Sequence, residues 1–258
     1  MKLERLGVIL MDTALYWDIR KRENGNNLYR SYGDPETVKK AIEIGKKQNL
    51  DALIGPEWSL MKCPEDVRAY SEKERDSIIA DLKKCSEGSE MLIFPGTLVY
   101  HSGDKLKNLL PVLQDGKLVY SYHKKEDGGT WTFDPSRMFY PGTERNVFEL
   151  GRLKIGVEIC ADKEKIIACN AKDLDLQVLV SAGIGITRSA LKNGAVFLCS
   201  DGGAGSRNPY HVARGCAIRS AVEWGAEIEC PATSKPEIDL ELKSCEVYGA
   251  RLHVYRLP

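Results

Sequence analysis

The sequence predicts a mixed α/β domain, on three observations. Apolar runs of strand length alternate with helical patterns through residues 6–95. From Leu98 onward the runs also come in pairs joined by tight-turn residues, which excludes a purely doubly wound sheet. The length, 258 residues, is enough to bury a sizeable core as one large unit or two small ones.

The elements follow in order. Leu6–Leu10 reads as a buried strand, and 18–32 is polar with Asn24-Gly25-Asn26-Asn27 as a turn cluster. Asp34 caps and Pro35 opens a helix running to about Gln48. Residues 51–55 form a strand, 65–85 carry a helical pattern rich in surface charge, and 91–95 form a third strand. Runs at 98–100, 109–114 and 117–122 read as antiparallel strands, the last two joined at Asp115-Gly116. A loop at 126–142 holds Gly128-Gly129, Trp131 and Asp134-Pro135. Residues 147–150 and 152–159 make another hairpin, and 162–172 read as a helix that Asp162 caps. A strand at 178–182 is followed by a helix to about Lys192 and a strand at 195–200. Beyond Asn208 only short strand-like runs remain, such as 226–230 and 252–255.

Composition narrows the class. Hydrophobic residues are 43% and charged residues 29%, values of a globular protein rather than a disordered one. Lys plus Arg equals Asp plus Glu at 37 each, so no global field favours nucleic acid or an anionic membrane. No run approaches a membrane span. Cysteines stand at 63, 85, 160, 169, 199, 216, 230 and 245 without a Cys-x-x-Cys pair or a histidine at zinc spacing. No secretory leader is visible, so the thiols read as reduced, small apolar residues of a cytoplasmic protein. No cofactor or metal is called for. Gly202-Gly203-Ala204-Gly205 lacks the ending of a phosphate loop, and Ser189-Ala190-Leu191-Lys192 lacks the companions of a Ser-x-x-Lys hydrolase.

Three strand-like segments each deliver one reactive side chain at or just past the C-terminal end: Glu57, Lys124 and Cys160. Each alone has a plain structural reading: a loop carboxylate, a member of a solvated charge run, a packed thiol. Gathered at one sheet edge, a carboxylate, an ammonium and a thiol form a hydrolase site. In this order and context they resemble the nitrilase superfamily of carbon–nitrogen hydrolases. The likeness extends to Phe94-Pro95-Gly96-Thr97, to Asn108 through Asp115-Gly116 and Tyr122-His123-Lys124, to Tyr140-Pro141-Gly142, and to Ile155-Gly156 through Ile159-Cys160-Ala161-Asp162. It covers roughly residues 5–205, and 206–258 diverge.

The resemblance implies a single domain over 1–258 with an α+β fold, a four-layer αββα sandwich of two mixed sheets with helices on the outer faces. It implies Cys160 as nucleophile, Glu57 as general base and Lys124 as oxyanion stabiliser, with the Ala161 N–H as second donor. The family's second glutamate has its nearest acidic counterpart in Asp134, a shorter side chain. Glu158 shares a face with Cys160 by alternation, but its surroundings resemble the glutaminase part of NAD synthetases and favour a structural role. Trp58, Trp131 and Ala182 are pocket candidates, although a core aromatic reads equally well for the tryptophans. The implied activity is hydrolysis of a small linear amide or N-carbamoyl compound, without cofactor, in a homodimer or larger assembly. Ala161-Asp162 stands where true nitrilases carry Trp-Glu, which favours an amide over a nitrile. A catalytically silent binding protein on the same scaffold and an ammonia-supplying glutaminase subunit remain as alternatives.

Overall fold

The computed structural model describes residues 2–11, 16–18, 28–30, 33–61, 68–202, 213–220, 222–230, 235–242 and 250–258. The turn cluster at 24–27, Gly203–Gly205, Cys63, Cys245 and His211 lie outside them.

In chain order the first half contains β1 (Arg5–Met11), β2 (Tyr16–Asp18), β3 (Leu28–Arg30), α1 (Pro35–Lys47), β4 (Ala52–Ile54), α2 (Glu72–Ser86), β5 (Leu92–Phe94), β6 (Leu98–Ser102), β7 (Lys105–Gln114) and β8 (Lys117–His123). The second half contains β9 (Met138–Phe139), β10 (Val147–Leu150), β11 (Leu153–Ile159), α3 (Lys165–Ala168), β12 (Leu174–Ser181), β13 (Ile186–Arg188), β14 (Leu191–Asp201), β15 (Arg214–Arg219), β16 (Glu227–Glu229), β17 (Ile238–Leu242) and β18 (Ala250–Arg256).

Two mixed sheets result. The first runs β17-β18-β1-β4-β5-β7-β6, with β8 and β9 also paired to β7; the second runs β10-β11-β12-β14-β15. Their inner faces meet in one apolar layer that includes Val8, Ile54, Phe94, Leu110 and Tyr122 from the first sheet and Val157, Val178, Val180 and Leu198 from the second. Helices α1 and α2 cover the outer face of the first sheet through Val38, Ile42 and Leu82, packed against Leu53, Ile93 and Leu252. This is the αββα order, and the segments after residue 205 complete both sheets: β15 extends the second, β17 and β18 the first. No helix among the described residues is long and apolar enough to cross a membrane.

Local signals explain most boundaries. Asp34 accepts from the Glu36 N–H at the start of α1, as its N-cap position requires. A capping box of Ser71 and Glu74 starts α2 at Glu72, later than the helical pattern alone places it.

Two expected helices are corrected. The one at 162–172 shrinks to the single turn of α3, bracketed by Glu164 and Asn170 in the left-handed region. The one reaching Lys192 is absent. Ile186–Arg188 instead pairs with β16 as a two-stranded ribbon, and the Gln177 side chain satisfies Arg188 C=O and Ala190 N–H. β-Branched Ile186 and Thr187 suit the ribbon better than a helix. The outer layer over the second sheet is therefore α3 plus this ribbon, closed over Leu179, Phe197, Cys199 and Cys216 by Ile166, Ile228 and Cys230.

Gly96 is fixed by its surroundings. Its φ is +91°, and a Cβ there would stand 1.9 Å from Ser59 Oγ and 2.2 Å from Pro56 O. The segment it would displace carries Glu57. Gly96→Ala is expected to destabilise the protein by roughly 2–4 kcal/mol, read as a lower midpoint in urea unfolding. An unchanged midpoint would show that the Pro56–Ser59 turn yields freely.

Candidate active site

The site sits where β4, β8 and β11 end. Because β8 and β4 belong to the first sheet and β11 to the second, their C-terminal ends deliver side chains to the seam between sheets. Glu57 lies three residues past β4, Lys124 one past β8 and Cys160 one past β11. All three are buried.

The carboxylate and ammonium are in contact: Lys124 Nζ donates to Glu57 Oε1 at 2.6 Å. Asn108 Nδ2 donates to the same oxygen at 2.9 Å, and the Asn108 carbonyl accepts from the Lys124 N–H. Glu57 Oε2 makes no hydrogen bond of normal geometry. The Cys160 thiol interacts with the Glu57 carboxyl group, close enough for the two to bias each other's protonation. The Ala182 N–H points at the Cys160 sulfur.

Electrostatics follow from burial. Loss of solvent pushes Glu57 above the ordinary carboxylate range, against the pull of Lys124. Burial disfavours charge on Lys124, yet the Glu57 and Cys160 charges outweigh it and raise the lysine. The Cys160 thiol is pushed up to about 12 by burial and by Glu57, with Lys124 and the Ala182 N–H working in the opposite direction.

Two of the site's backbones are strained. Trp58 has φ +65° and Cys160 φ +48°, a region where side-chain-bearing residues are uncommon. Trp58 is held there by hydrogen bonds from its N–H to Thr97 Oγ1 and from the Met61 N–H to its carbonyl. Its ring meets Phe133 edge-on at 5.6 Å between centroids and lies 5.9 Å from Lys124 Nζ. A Cβ at Gly128 would stand 3.1 Å from Lys124 Nζ and 3.0 Å from Ala161 Cβ, so residues 128–130 cross directly over the site.

Several expected residues stand elsewhere. Asp134 is not brought to the lysine; Ser136 Oγ at 2.5 Å and Arg137 Nε at 2.6 Å occupy its carboxylate. Trp131 is half-buried in the turn at 130–133, and the side chain of that turn that reaches Trp58 is Phe133. Asp162 does not cap a helix. Its carboxylate accepts from Tyr122 Oη at 2.8 Å, Lys125 N at 3.0 Å and Glu126 N at 2.8 Å, tying the lysine segment to the Cys160 turn. Glu158 turns to the outer layer, bonding Thr187 Oγ1 at 2.6 Å and the Ile166 N–H at 3.2 Å. Its structural role is the one its surroundings suggested, while the positive φ of Cys160 breaks the alternation that placed both on one face. Asn108 was missed as a site residue, though a buried amide inside an apolar strand was a signal in the sequence.

A buried ion pair is costly to break because the survivor stays buried and unpaired. Lys124→Met is expected to destabilise the fold by about 3–5 kcal/mol. Removing both charges, as Glu57→Leu with Lys124→Met, should recover much of that loss. Urea denaturation of the single and double variants measures the coupling, and strictly additive losses would contradict the contact.

Comparisons with known proteins were made on sequence and on structure. Residues 33–185 match the carbon–nitrogen hydrolase family. The glutamine-dependent NAD(+) synthetase of Thermotoga maritima is 28% identical over 137 residues, which are 50% of this chain and 23% of that protein. Its counterpart in Acinetobacter baylyi is 31% identical over 120 residues, 45% and 22% respectively. The matches therefore span less than a quarter of the length of these curated relatives. An amidase from Nesterenkonia sp. superposes with a TM-score of 0.57 at 15% identity, covering 100% of this chain and 92% of that one. Another structure of the Nesterenkonia sp. AN1 amidase carries the acetamide moiety of fluoroacetamide on its active-site cysteine (TM-score 0.59, 14% identity, 99% and 91% covered). The glutamine-dependent NAD+ synthetase of Acinetobacter baumannii superposes at 0.54 with 17% identity, over 97% of this chain and 45% of that one. At these identities the structural likeness is one of fold.

Proposed function

The chain belongs to the carbon–nitrogen hydrolase family, and from that premise we propose that it is a thiol-dependent amidase acting on a small linear amide or N-carbamoyl compound. The observation that carries the reading is the buried Glu57–Lys124 contact at 2.6 Å with the Cys160 thiol interacting with the same carboxyl group.

Burial holds the Cys160 thiol well above its ordinary range, so the resting group at neutral pH is the protonated thiol. Pre-ionised sulfur is too scarce to carry the reaction, so proton transfer accompanies attack. Glu57 Oε2 takes the Cys160 proton as sulfur adds to the carbonyl carbon. The tetrahedral oxygen accepts from Lys124 Nζ and the Ala161 N–H, in an arrangement where one donor is typically worth about 3–4 kcal/mol. Collapse expels the amine, which takes the proton from Glu57 and leaves a thioester on Cys160. Glu57 then removes a proton from water as its oxygen adds to the thioester carbonyl, and collapse releases the acid while the departing sulfur takes that proton back from Glu57. Asp134, engaged by Arg137, takes no part.

A second reading has its own support, since the curated relatives are glutamine-dependent NAD(+) synthetases. On that reading the amide acted on by this chain is glutamine, and the ammonia it releases passes to a partner chain.

Intact-mass spectrometry across an amide panel that includes glutamine tests both readings. The expected result is an acyl adduct on Cys160, absent in Cys160→Ala, and a γ-glutamyl adduct would select the second reading. No adduct with any amide, together with iodoacetamide labelling no faster at Cys160 than at exposed Cys169, would leave an inert scaffold. The pH profile is a separate check. Glu57 must be ionised to accept the proton and its pKa lies above 4.5, so kcat/KM should fall as pH drops through that raised value. An acid limb at or below 4.5 would remove Glu57 from the base role.

A further inference from the structure

Five buried side-chain nitrogen and oxygen atoms among the described residues lack a hydrogen-bond partner: Arg5 Nε, Glu57 Oε2, Trp58 Nε1, Asn108 Oδ1 and Thr130 Oγ1. All but the first belong to the active site. Folded proteins leave few such groups, because each costs roughly 1–3 kcal/mol. Their concentration at one place is the signature of groups kept free for a ligand.

The four differ in what they offer. Glu57 Oε2 and Asn108 Oδ1 are acceptors, and their residues are joined by the Asn108 Nδ2 hydrogen bond to Glu57 Oε1, which Lys124 Nζ also reaches. They match the N–H donors of a scissile carboxamide. Trp58 Nε1–H can only donate, and Thr130 Oγ1 can donate or accept. The six-membered edge of Trp58 that adjoins Nε1 faces residue 129: a Cβ there would stand 3.5 Å from Cη2 and 3.7 Å from Cζ2. Thr130 follows in the same buried turn, its own N–H fixed on Asp127 Oδ1 at 2.9 Å. These two groups call for an acceptor on the substrate beyond the reacting carbonyl.

Charge decides what kind of acceptor. The buried carboxylates at the site are Glu57 and Asp162, and the buried cation is Lys124, already paired. Lys125 Nζ is turned onto Asn146 Oδ1 at 2.8 Å. Arg214, beside the strand end at Ser181–Gly185, is paired with Asp201 and Glu229. Among the described residues no spare cation faces the site, so a substrate carboxylate would be desolvated without a counter-charge.

Building on the amidase reading, we propose that Trp58 and Thr130 are specificity-determining residues, and that the substrate is a primary amide whose acyl chain carries a neutral hydrogen-bond acceptor such as a second carboxamide. A polar site rejects an isostere lacking the matching group because its own buried groups are then left unpaired.

The test compares succinamide with its apolar isostere isocaproamide, and with succinamate and glutamine as charged probes. Each is scored by kcat/KM and by acylation of Cys160. The wild type should prefer succinamide over isocaproamide by about tenfold or more and over both charged probes. Thr130→Val and Trp58→Phe should each collapse the succinamide-to-isocaproamide ratio toward one, and Thr130→Ser should restore it. A wild-type ratio near one, or a ratio that both variants preserve while losing overall rate, overturns the proposal and leaves the amidase reading intact. Preference for succinamate or glutamine overturns the neutral-acceptor assignment. Failure of every amide to acylate Cys160 sinks the amidase reading and this inference with it.

Discussion

The ion pair between Glu57 and Lys124 is the interaction that the surrounding structure has to accommodate. Neither partner is solvated, and taking both from water costs several kcal/mol per ion before their mutual attraction returns any of it. Such a pair persists only where geometry is fixed from several sides. Asn108 fixes the carboxylate from β7. Asp162 fixes the lysine segment by holding the N–H groups of the next two residues. Thr97 and Met61 fix the strained turn at Trp58, one residue past Glu57. The polar residues around the pair thus position it, and each is itself bonded to backbone or to another buried group.

The two outer layers differ, and the difference bears on the strand that leads to Cys160. Helices α1 and α2 cover the first sheet, α1 through Val38, Ala41 and Ile42 and α2 through Leu82 with Ile78 and Ile79 partly buried beside it. The second sheet has one helical turn and a ribbon of three-residue strands. Glu158 joins both pieces to β11 through Thr187 and the Ile166 N–H, and burial raises this carboxyl to about 7. A thin layer buries less apolar area and contributes correspondingly less stability. The polar tether of Glu158 is what ties that layer to the strand bearing Cys160.

The sequence made the reactive residues easier to read than the frame that holds them. Glu57, Lys124 and Cys160 stood out because each follows an apolar run, and a charged or thiol side chain after a buried strand is conspicuous. Asp34 and Asp115-Gly116 were legible because caps and hairpin turns act through neighbours in sequence. Asn108, Asp162 and Glu158 were harder, since their partners lie 51, 37 and 29 residues away and no local pattern encodes such pairings. The helix expected before Lys192 failed for the same reason. Its residues pair with β16, about forty positions downstream, and a short amphipathic run does not reveal which long-range partner it will find. Asp134 is the nearest acidic residue in sequence to the position the resemblance implies, and nearness in sequence carries no information about Arg137, three residues on, which claims its carboxylate.

One backbone angle accounts for how a single strand serves two layers. Regular pleating from Ile155 to Ile159 points Ile155, Val157 and Ile159 into the seam between sheets and Glu158 away from it. Continued alternation would send residue 160 outward with Glu158, away from Glu57 and Lys124. The left-handed φ of Cys160 interrupts the pleat at that residue, and the 3₁₀ turn through Asp162 fixes the interruption by a hydrogen bond from Lys163 N–H to the Cys160 carbonyl. The strain, of order 1–3 kcal/mol for such a residue, is confined to a turn whose far end is anchored by Asp162 on the lysine segment. The strand therefore keeps its carboxylate on the outer layer while the thiol swings back to the seam, next to the Glu57 carboxyl group. A backbone in the ordinary β region at this position would preserve every other element of the sandwich and lose the site.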